Sequence, residues 1–96
     1  MTEKIEVAVA LPVINTYTYC APDPIAPGTR VLVPFGSRVL TGYVLGSDER
    51  QSAGELKEIA DVIDETPLFP EEMIPFYRWV ADYYVHPLGE VLADAL

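Results

Sequence analysis

Apolar and polar residues alternate through most of the first 47 positions, in short runs that prolines and glycines interrupt. Successive side chains of a β-strand point to opposite faces, so this alternation predicts half-buried strands rather than helices. The first run places four apolar residues on one face: Ile5, Val7, Val9 and Leu11. A chain of 96 residues has room for one domain with a single modest core. The sequence therefore predicts one small sheet over this part of the chain.

The predicted strands are separated by segments rich in proline and glycine. A second strand is predicted over residues 17–21, and the segment 22–28, with three prolines, is predicted to be a loop. The next strand runs into Pro34, which cannot donate to a sheet and so belongs at an edge or at a strand end. Gly36 tolerates a positive φ, and the alternation resumes after it. Taken alone, this stretch is best interpreted as a hairpin turn.

The pattern changes to helical spacing after Pro67. The residues at this spacing are Met73, Phe76 or Tyr77, Val80 and Tyr84. A proline inside a helix removes a hydrogen bond, so we expect either a kink at Pro75 or a helix that begins near Ile74. A second, shorter helix is predicted over residues 87–95. Three aromatic residues are expected to pack the helix against the sheet: Trp79, Tyr83 and Tyr84.

Strands followed by helices are typical of an α+β domain. A polar loop over residues 48–54 and a short strand over 59–63 connect the two patterns. Several short strands with tight turns predict a small, curled, barrel-like antiparallel sheet followed by C-terminal helices. We expect a single domain over 1–96, β-rich over 1–64 and helical over 67–96. We also expect the chain to be a piece of a longer protein.

The formal charge of −9 is unevenly distributed along the chain. Residues 1–47 carry three basic and three acidic side chains, whereas residues 48–96 carry three basic and twelve acidic ones. Binding along a phosphate backbone needs a stripe of basic residues, and the sequence shows none. The charge therefore argues against generic nucleic-acid binding, while it leaves room for a small pocket in the neutral half.

Motifs for catalysis and metal binding are absent from the sequence. There is no phosphate-binding loop, no dinucleotide fingerprint and no cluster of cysteines and histidines. We interpret the single cysteine, Cys20, as a packed thiol and the single histidine, His86, as a structural or exposed residue. No apolar run reaches the ~18 residues of a membrane span, and one cysteine fits a cytoplasmic protein. These absences favour a binding module over an enzyme.

Five stretches, in order and with similar gaps, resemble one family. They are residues 9–13 (VALPV), 16–19 (TYTY), 27–46 (PGTRVLVPFGSRVLTGYVLG), 55–64 (ELKEIADVID) and 79–92 (WVADYYVHPLGEVL). Together they are similar to the N-terminal domain of the primosomal protein N′ family, the PriA replication-restart helicases. The resemblance implies a domain that captures the 3′ end of the nascent leading strand at a stalled or rebuilt replication fork, in the bacterial cytoplasm.

The resemblance also implies a pocket for the terminal nucleotide. The pocket positions of the family motifs T-F-D-Y, V-P-F-G and E-L-K correspond in this chain to Tyr17, Thr18, Gly36 and Lys57. Tyr17 would be a stacking face, Gly36 a wall of bare backbone, and Lys57 a positive point near a phosphate or a base edge. Thr18 stands where the family has an acid. It can accept a hydrogen bond from a terminal hydroxyl, but without the charge that makes such bonds roughly twice as strong.

The resemblance assigns ATP, Mg and Zn to other domains of a parent helicase, so we expect no cofactor or metal in these residues. The expected partners are the 3′ end of a single strand, those other domains, and primosome and single-strand-binding proteins, with no membrane. Two other interpretations stay open from the residues alone, a protein-interaction module and an independent small enzyme. The residues alone also leave open that Tyr17 is an ordinary aromatic residue of a strand and that Lys57 is a solvated lysine.

Overall fold

A computed structural model of the chain describes residues 3–12, 15–48, 56–84 and 86–96. The elements, in chain order, are β1 (Glu3–Val9), β2 (Tyr17–Ala21), β3 (Arg30–Phe35), β4 (Arg38–Ser47), β5 (Asp61–Val62), a 3₁₀ turn (Glu71–Met73), α1 (Ile74–Tyr83) and α2 (Leu88–Ala95). Strands followed by helices confirm the predicted α+β class. The polar loop predicted over 48–54 lies outside the described residues, apart from Asp48.

The five strands form one antiparallel sheet in the order β2-β1-β4-β3-β5. The segment that leads into β5 links the two edges of this sheet. On one side, the Cys20 N–H donates to the carbonyl of Lys57 and the Ile59 N–H donates to the carbonyl of Cys20, both at 3.0 Å. On the other side, the Ala60 N–H donates to the carbonyl of Leu32 at 2.7 Å. The sheet is therefore curled, as predicted, but it does not close into a barrel.

Both faces of the sheet are covered by apolar residues. The inner face of the curl holds one core, made of Ile5, Val7, Val9, Tyr19, Ala21, Val31, Val33 and Val44. The outer face packs against the helical part, through Ala8, Tyr43, Leu45, Phe69, Ile74, Ala81, Leu88 and Leu92. Because side chains alternate along a strand, β1 contributes to both cores. This two-sided packing fixes the curl of the sheet and therefore the relative positions of its edges.

The first helix begins where the sequence allows a proline. α1 starts at Ile74, directly after the 3₁₀ turn, and Pro75 lies within its first turn. The first N–H groups of a helix have no intrahelical partner, so a proline removes no hydrogen bond there. The predicted start near Ile74 is confirmed. In the part of the chain that the structure describes, no helix has the length and apolar character needed to cross a membrane.

The buried face of α1 differs from the predicted one. Ile74 and Ala81 are buried and Tyr77 packs beside them, so the residues that face the sheet follow i, i+3 and i+7. The prediction that three other aromatic residues pack against the sheet is wrong. Their exposed fractions are 57% for Trp79, 66% for Tyr83 and 68% for Tyr84. Apolar side chains occupy most of the circumference of this helix, apart from the side that carries Arg78 and Asp82, so periodicity alone does not select which apolar side is buried.

Candidate functional site

A pocket of about 290 Å³ lies where β2 meets the hairpin between β3 and β4. It is lined by Tyr17, Thr18, Tyr19, Pro34, Phe35, Gly36, Leu56 and Lys57. All four residues selected from the sequence, Tyr17, Thr18, Gly36 and Lys57, are among them. Ligand pockets usually occupy about 300–1,000 Å³, so this one suits a single small group.

Aromatic side chains of β2 connect the edge strand to the hairpin. The rings of Tyr17 and Phe35 meet edge to face, with 5.1 Å between centroids and 81° between planes. The Tyr19 hydroxyl donates to the carbonyl oxygen of Pro34 at 2.8 Å. Burial, together with the nearby Tyr17 phenol, raises the pKa of Tyr19, which therefore stays a hydrogen-bond donor. These contacts cross the inner face of the curl and hold one face of Tyr17 beside the pocket.

The hairpin forms the second wall of the pocket. Phe35 pairs with Arg38, which leaves Gly36 and Ser37 as a two-residue turn. Gly36 has a φ of 63°, a conformation that glycine adopts without steric cost. A Cβ built on Gly36 would have no atom of the chain within 4 Å. Glycine is thus favoured by the backbone conformation, and the space in front of it is open. The hairpin turn predicted from the sequence therefore also forms one wall of the pocket.

Lys57 reaches the pocket from the segment that links the two edges of the sheet. Its carbonyl is held by the Cys20 N–H, while its side chain is exposed. The adjacent Leu56 carbonyl accepts a weak hydrogen bond from the Cys20 thiol, at 3.7 Å. Among the described residues that line the pocket, Lys57 carries the one positive charge. The backbone of Lys57 is thus held by a hydrogen bond to β2, while its exposed ammonium can bind an anion.

Thr18 lies at the pocket with its hydroxyl engaged. The Thr18 Oγ1 donates a hydrogen bond to Oδ2 of Asp48, a residue that is only 6% exposed. Asp48 follows the end of β4, where its N–H donates to the Lys4 carbonyl at 2.9 Å. Sequence reasoning missed Asp48, because Thr18 and Asp48 are brought together by strands that pair through β1. No local motif signals this pairing.

The rest of the neighbouring surface is acidic. A second cavity, of about 530 Å³, is lined by loop 22–26 and the β5 region and carries five carboxylates: Asp23, Glu58, Asp61, Asp64 and Glu65. Asp64 is paired with Arg30, whose Nη2 lies 2.9 Å from Oδ1. The hydrogen bonds from Arg30 lower the pKa of Asp64. Such a surface repels phosphates, so anion binding is more favourable near Lys57 than at this second cavity.

Metal chemistry has no support in the described part of the chain. Within residues 3–12, 15–48, 56–84 and 86–96, no group of three or more histidines, cysteines, aspartates or glutamates is placed to hold a metal ion. The expectation that ATP, Mg and Zn belong to other domains stays a prediction.

The chain has an open, curled sheet and a small pocket lined by aromatic rings, bare backbone and one ammonium. These features define a small binding domain of the α+β class. The chain belongs to the 3′DNA-binding domain (3′BD) family, whose model matches residues 6–96. Membership confirms the resemblance drawn from the five sequence stretches. The family is a DNA-binding one, which agrees with a binding module rather than a catalytic domain.

Three curated relatives share the name replication restart protein PriA. The protein of Treponema pallidum is 34% identical over 102 residues, covering 96% of this chain and 16% of that protein. The protein of Haemophilus influenzae is 35% identical over 96 residues, covering 96% and 13%. The protein of Bacillus subtilis is 38% identical over 60 residues, covering 60% and 8%. The chain therefore spans a small fraction of the length of these relatives.

Proposed function

We propose that this chain binds the free 3′ terminus of a DNA strand, in particular the nascent leading strand at a stalled or rebuilt replication fork. The observation that carries the proposal is the pocket that gathers Tyr17, Thr18, Gly36 and Lys57. These positions come from β2, from the hairpin and from the segment before β5. The family resemblance assigns the same positions to a terminal nucleotide, which supports a common role.

Each wall of the pocket suits one part of a terminal nucleotide. The Tyr17 ring offers a face on which a base can stack, worth ~1–3 kcal/mol and tolerant of base identity. The bare backbone at Gly36 lets the sugar approach closely. Lys57 supplies a positive charge for the adjoining phosphate or a base edge.

One pocket takes only one nucleotide, so an acidic domain can bind a strand end without a basic stripe. The affinity of this chain alone is expected to be about micromolar or weaker, and a longer protein would add further contacts. We assign ATP-dependent 3′–5′ helicase activity, with its Mg and Zn, to other parts of such a protein in the bacterial cytoplasm. Its other domains, primosome proteins and single-strand-binding proteins are the partners we propose.

The test is fluorescence anisotropy, with the 96-residue chain and a 5′-labelled single strand that ends in a 3′ hydroxyl. Unlabelled linear strands should compete, whereas circular single strands of equal nucleotide concentration should compete much more weakly. A strand that ends in a 3′ phosphate should compete less well than its hydroxyl-ended twin. Equal competition by linear and circular strands would contradict end binding.

A protein-interaction module is the second candidate, and the exposed aromatic surface of α1 favours it. Trp79 and Tyr83 stack at 5.2 Å, and Tyr83 meets Tyr84 edge to face at 4.9 Å, all in the exposed part of the helix. Such a surface is typical of a docking face for another protein or domain. This candidate, a module without DNA binding of its own, is favoured if the chain binds no strand end, and end binding by the chain contradicts it.

A further inference from the structure

The outer side of α1 carries a row of aromatic rings that the described part of the domain leaves uncovered. Phe76, Trp79 and Tyr83 follow the spacing i, i+3 and i+7, so they lie on one side of the helix. This side is opposite the one on which Ile74 and Ala81 are buried. Each of the three rings is more than half exposed. We call Phe76, Trp79 and Tyr83 the aromatic face of α1.

The aromatic face offers flat rings to a binding partner. Trp79 and Tyr83 are stacked, with 5.2 Å between ring centroids and 23° between planes. Because the two rings support each other, they lose less conformational freedom when a partner covers them. The planar guanidinium of arginine stacks on the faces of such rings. The aromatic face therefore suits a planar cation together with apolar side chains.

The available charges around the aromatic face are negative. Glu72 and Asp82 are exposed, and each lies within one helical turn of a ring of this face. Arg78 is the basic residue of α1, and its Nη2 lies 2.9 Å from Oε1 of Glu6 on β1. That ion pair ties the positive charge of the helix to the sheet. A partner that covers the aromatic face must therefore bring positive charge of its own.

We propose that the aromatic face of α1 docks a protein segment that carries arginine next to apolar side chains. Arginine fits because its guanidinium both stacks on the rings and pairs with the carboxylate of Glu72 or Asp82. A second copy of the chain is disfavoured, since two domains with a formal charge of −9 repel each other. A DNA strand is disfavoured as well, because its phosphates would meet the same carboxylates. No residue of the aromatic face lines the pocket at β2, so the docking site is separate from the proposed binding of a strand end.

Trp79 is the single tryptophan of the chain, so tryptophan fluorescence reports directly whether the aromatic face is covered. The probe is a short peptide made of arginine, leucine and alanine, with two twins in which lysine or glutamate replaces every arginine. The arginine peptide should shift the emission of Trp79 to shorter wavelength, because the indole leaves water. The lysine twin should bind about threefold more weakly, since an ammonium does not stack as a guanidinium does. The glutamate twin should cause no shift at concentrations up to about 1 mM, the range of weak peptide binding.

Substitutions locate the docking site, with the anisotropy of a labelled arginine peptide as the measurement. Trp79→Ser and Tyr83→Ser should each weaken binding about tenfold, because both remove a ring from the centre of the face. Asp82→Asn should weaken binding about threefold, through the loss of one carboxylate. Two matched controls should bind like the parent chain: Val39→Ser, which removes an exposed apolar side chain on β4, and Glu65→Gln, which removes an exposed carboxylate near β5.

Several results would overturn the inference. Equal binding of the arginine peptide to the parent chain and to folded Trp79→Ser would show a general attraction by the acidic surface. Equal binding of the arginine peptide and either twin, or no shift with any peptide up to about 1 mM, would contradict the stated chemistry. A dimer in sedimentation that Trp79→Ser abolishes would assign the face to a second copy, and a shift caused by circular single-stranded DNA would assign it to DNA.

The two binding sites are tested independently of each other. Tyr17→Ala, which removes a ring from the pocket, should bind the arginine peptide like the parent chain. A chain that binds the peptide but no strand end rejects the proposed function and supports docking at α1. A chain that binds strand ends but not the peptide rejects the docking site alone.

Discussion

The ring of Tyr17 is held in place by its edge-to-face contact with Phe35. A preformed stacking face loses little conformational freedom when a base binds. We therefore expect Tyr17→Ala to weaken binding of a 3′ end by ~1–3 kcal/mol, measured by anisotropy. Tyr17→Phe keeps the ring and should bind nearly like the parent chain.

The control for Tyr17 is an exposed tyrosine elsewhere. Tyr83→Ala removes a ring from the outer face of α1, away from the residues that line the pocket. It should leave end binding unchanged. Equal losses in the Tyr17 and Tyr83 variants would show that aromatic surface in general, rather than this pocket, attracts the strand.

Lys57 is expected to act through its charge. If its ammonium neutralises one phosphate, Lys57→Ala should reduce the slope of log affinity against log salt by about 0.7–1. Affinities at four or more salt concentrations give this slope. Arg38→Ala is a strict control, because Arg38 is exposed beside the hairpin and does not line the pocket. The same reduction in both variants would contradict a specific phosphate contact by Lys57.

Single residues also show where sequence reasoning stops. The family resemblance selects Tyr17, Thr18, Gly36 and Lys57, and the structure brings them to one pocket. Asp48 was not selected, because its contact with Thr18 passes across β1 and depends on strand register. A motif records which side chains occur along the chain, whereas register decides which of them meet.

Among the elements, the β3–β4 hairpin serves both the fold and the pocket. Gly36→Asn separates the two roles, because asparagine tolerates a positive φ better than other residues with a side chain. The variant should keep a melting temperature close to that of the parent chain, while its side chain enters the open space before the turn and reduces end binding. Gly36→Val should lose both stability and binding, because its branched side chain is strained at this φ.

Normal end binding by a folded Gly36→Asn chain would contradict a backbone wall at this position. Chemical denaturation and anisotropy on the same samples give both quantities. Ser37→Asn places the same side chain one residue later in the turn, outside the lining of the pocket, and serves as the control.

The edge formed by β3 and β5 depends on one ion pair. Arg30 donates to Asp64 from its backbone N–H at 3.0 Å and from its guanidinium at 2.9 Å. These bonds lower the pKa of Asp64, so the unfolded state binds the proton more readily. The stabilisation is therefore present above the unfolded pKa of about 3.9 and is lost as the pH falls through the lower folded value.

Asp64→Asn should consequently flatten the acid limb of the stability curve. Urea midpoints between pH 6 and pH 2 are the measurement, and the variant should approach the parent chain only at the acid end of this range. Glu65→Gln, an exposed carboxylate next in the chain, is the control and should keep the shape of the parent curve. Parallel curves for Asp64→Asn and the parent chain would contradict the role of this pair.

The sequence predicts which segments form strands and helices more reliably than which side of a helix is buried. Alternation identified the strands, and Pro75 fixed the start of α1 near Ile74. The predicted buried face of α1 was wrong, because the helix also carries apolar side chains that are exposed, such as Phe76 and Trp79. Where apolar side chains occupy most of the circumference of a helix, only contact with the sheet selects the face.

At the scale of the whole molecule, the formal charge of −9 limits how the domain can bind DNA. Beyond the pocket, a strand would run over a surface that carries few cations and many carboxylates. Affinity should therefore be nearly independent of strand length, from a dinucleotide to a strand of about twenty nucleotides, because the proposed pocket holds only the last nucleotide. Competition by oligonucleotides of equal end concentration measures this dependence. A steady rise of affinity with length would contradict capture by a single pocket.

The segment that links the two sheet edges has a consequence for how binding and local opening are coupled. It carries Lys57, and it is fastened to β2 by the amide hydrogens of Cys20 and Ile59. If this segment detaches from β2 in a local opening, Lys57 moves away from Tyr17 and the pocket is no longer assembled. A nucleotide that binds only the assembled pocket must therefore slow exchange of these two amides with solvent deuterium, by a factor that grows with its concentration. On the proposed function, the hydrogen bonds between this segment and β2 would open less often in the complex with a strand end than in the free chain.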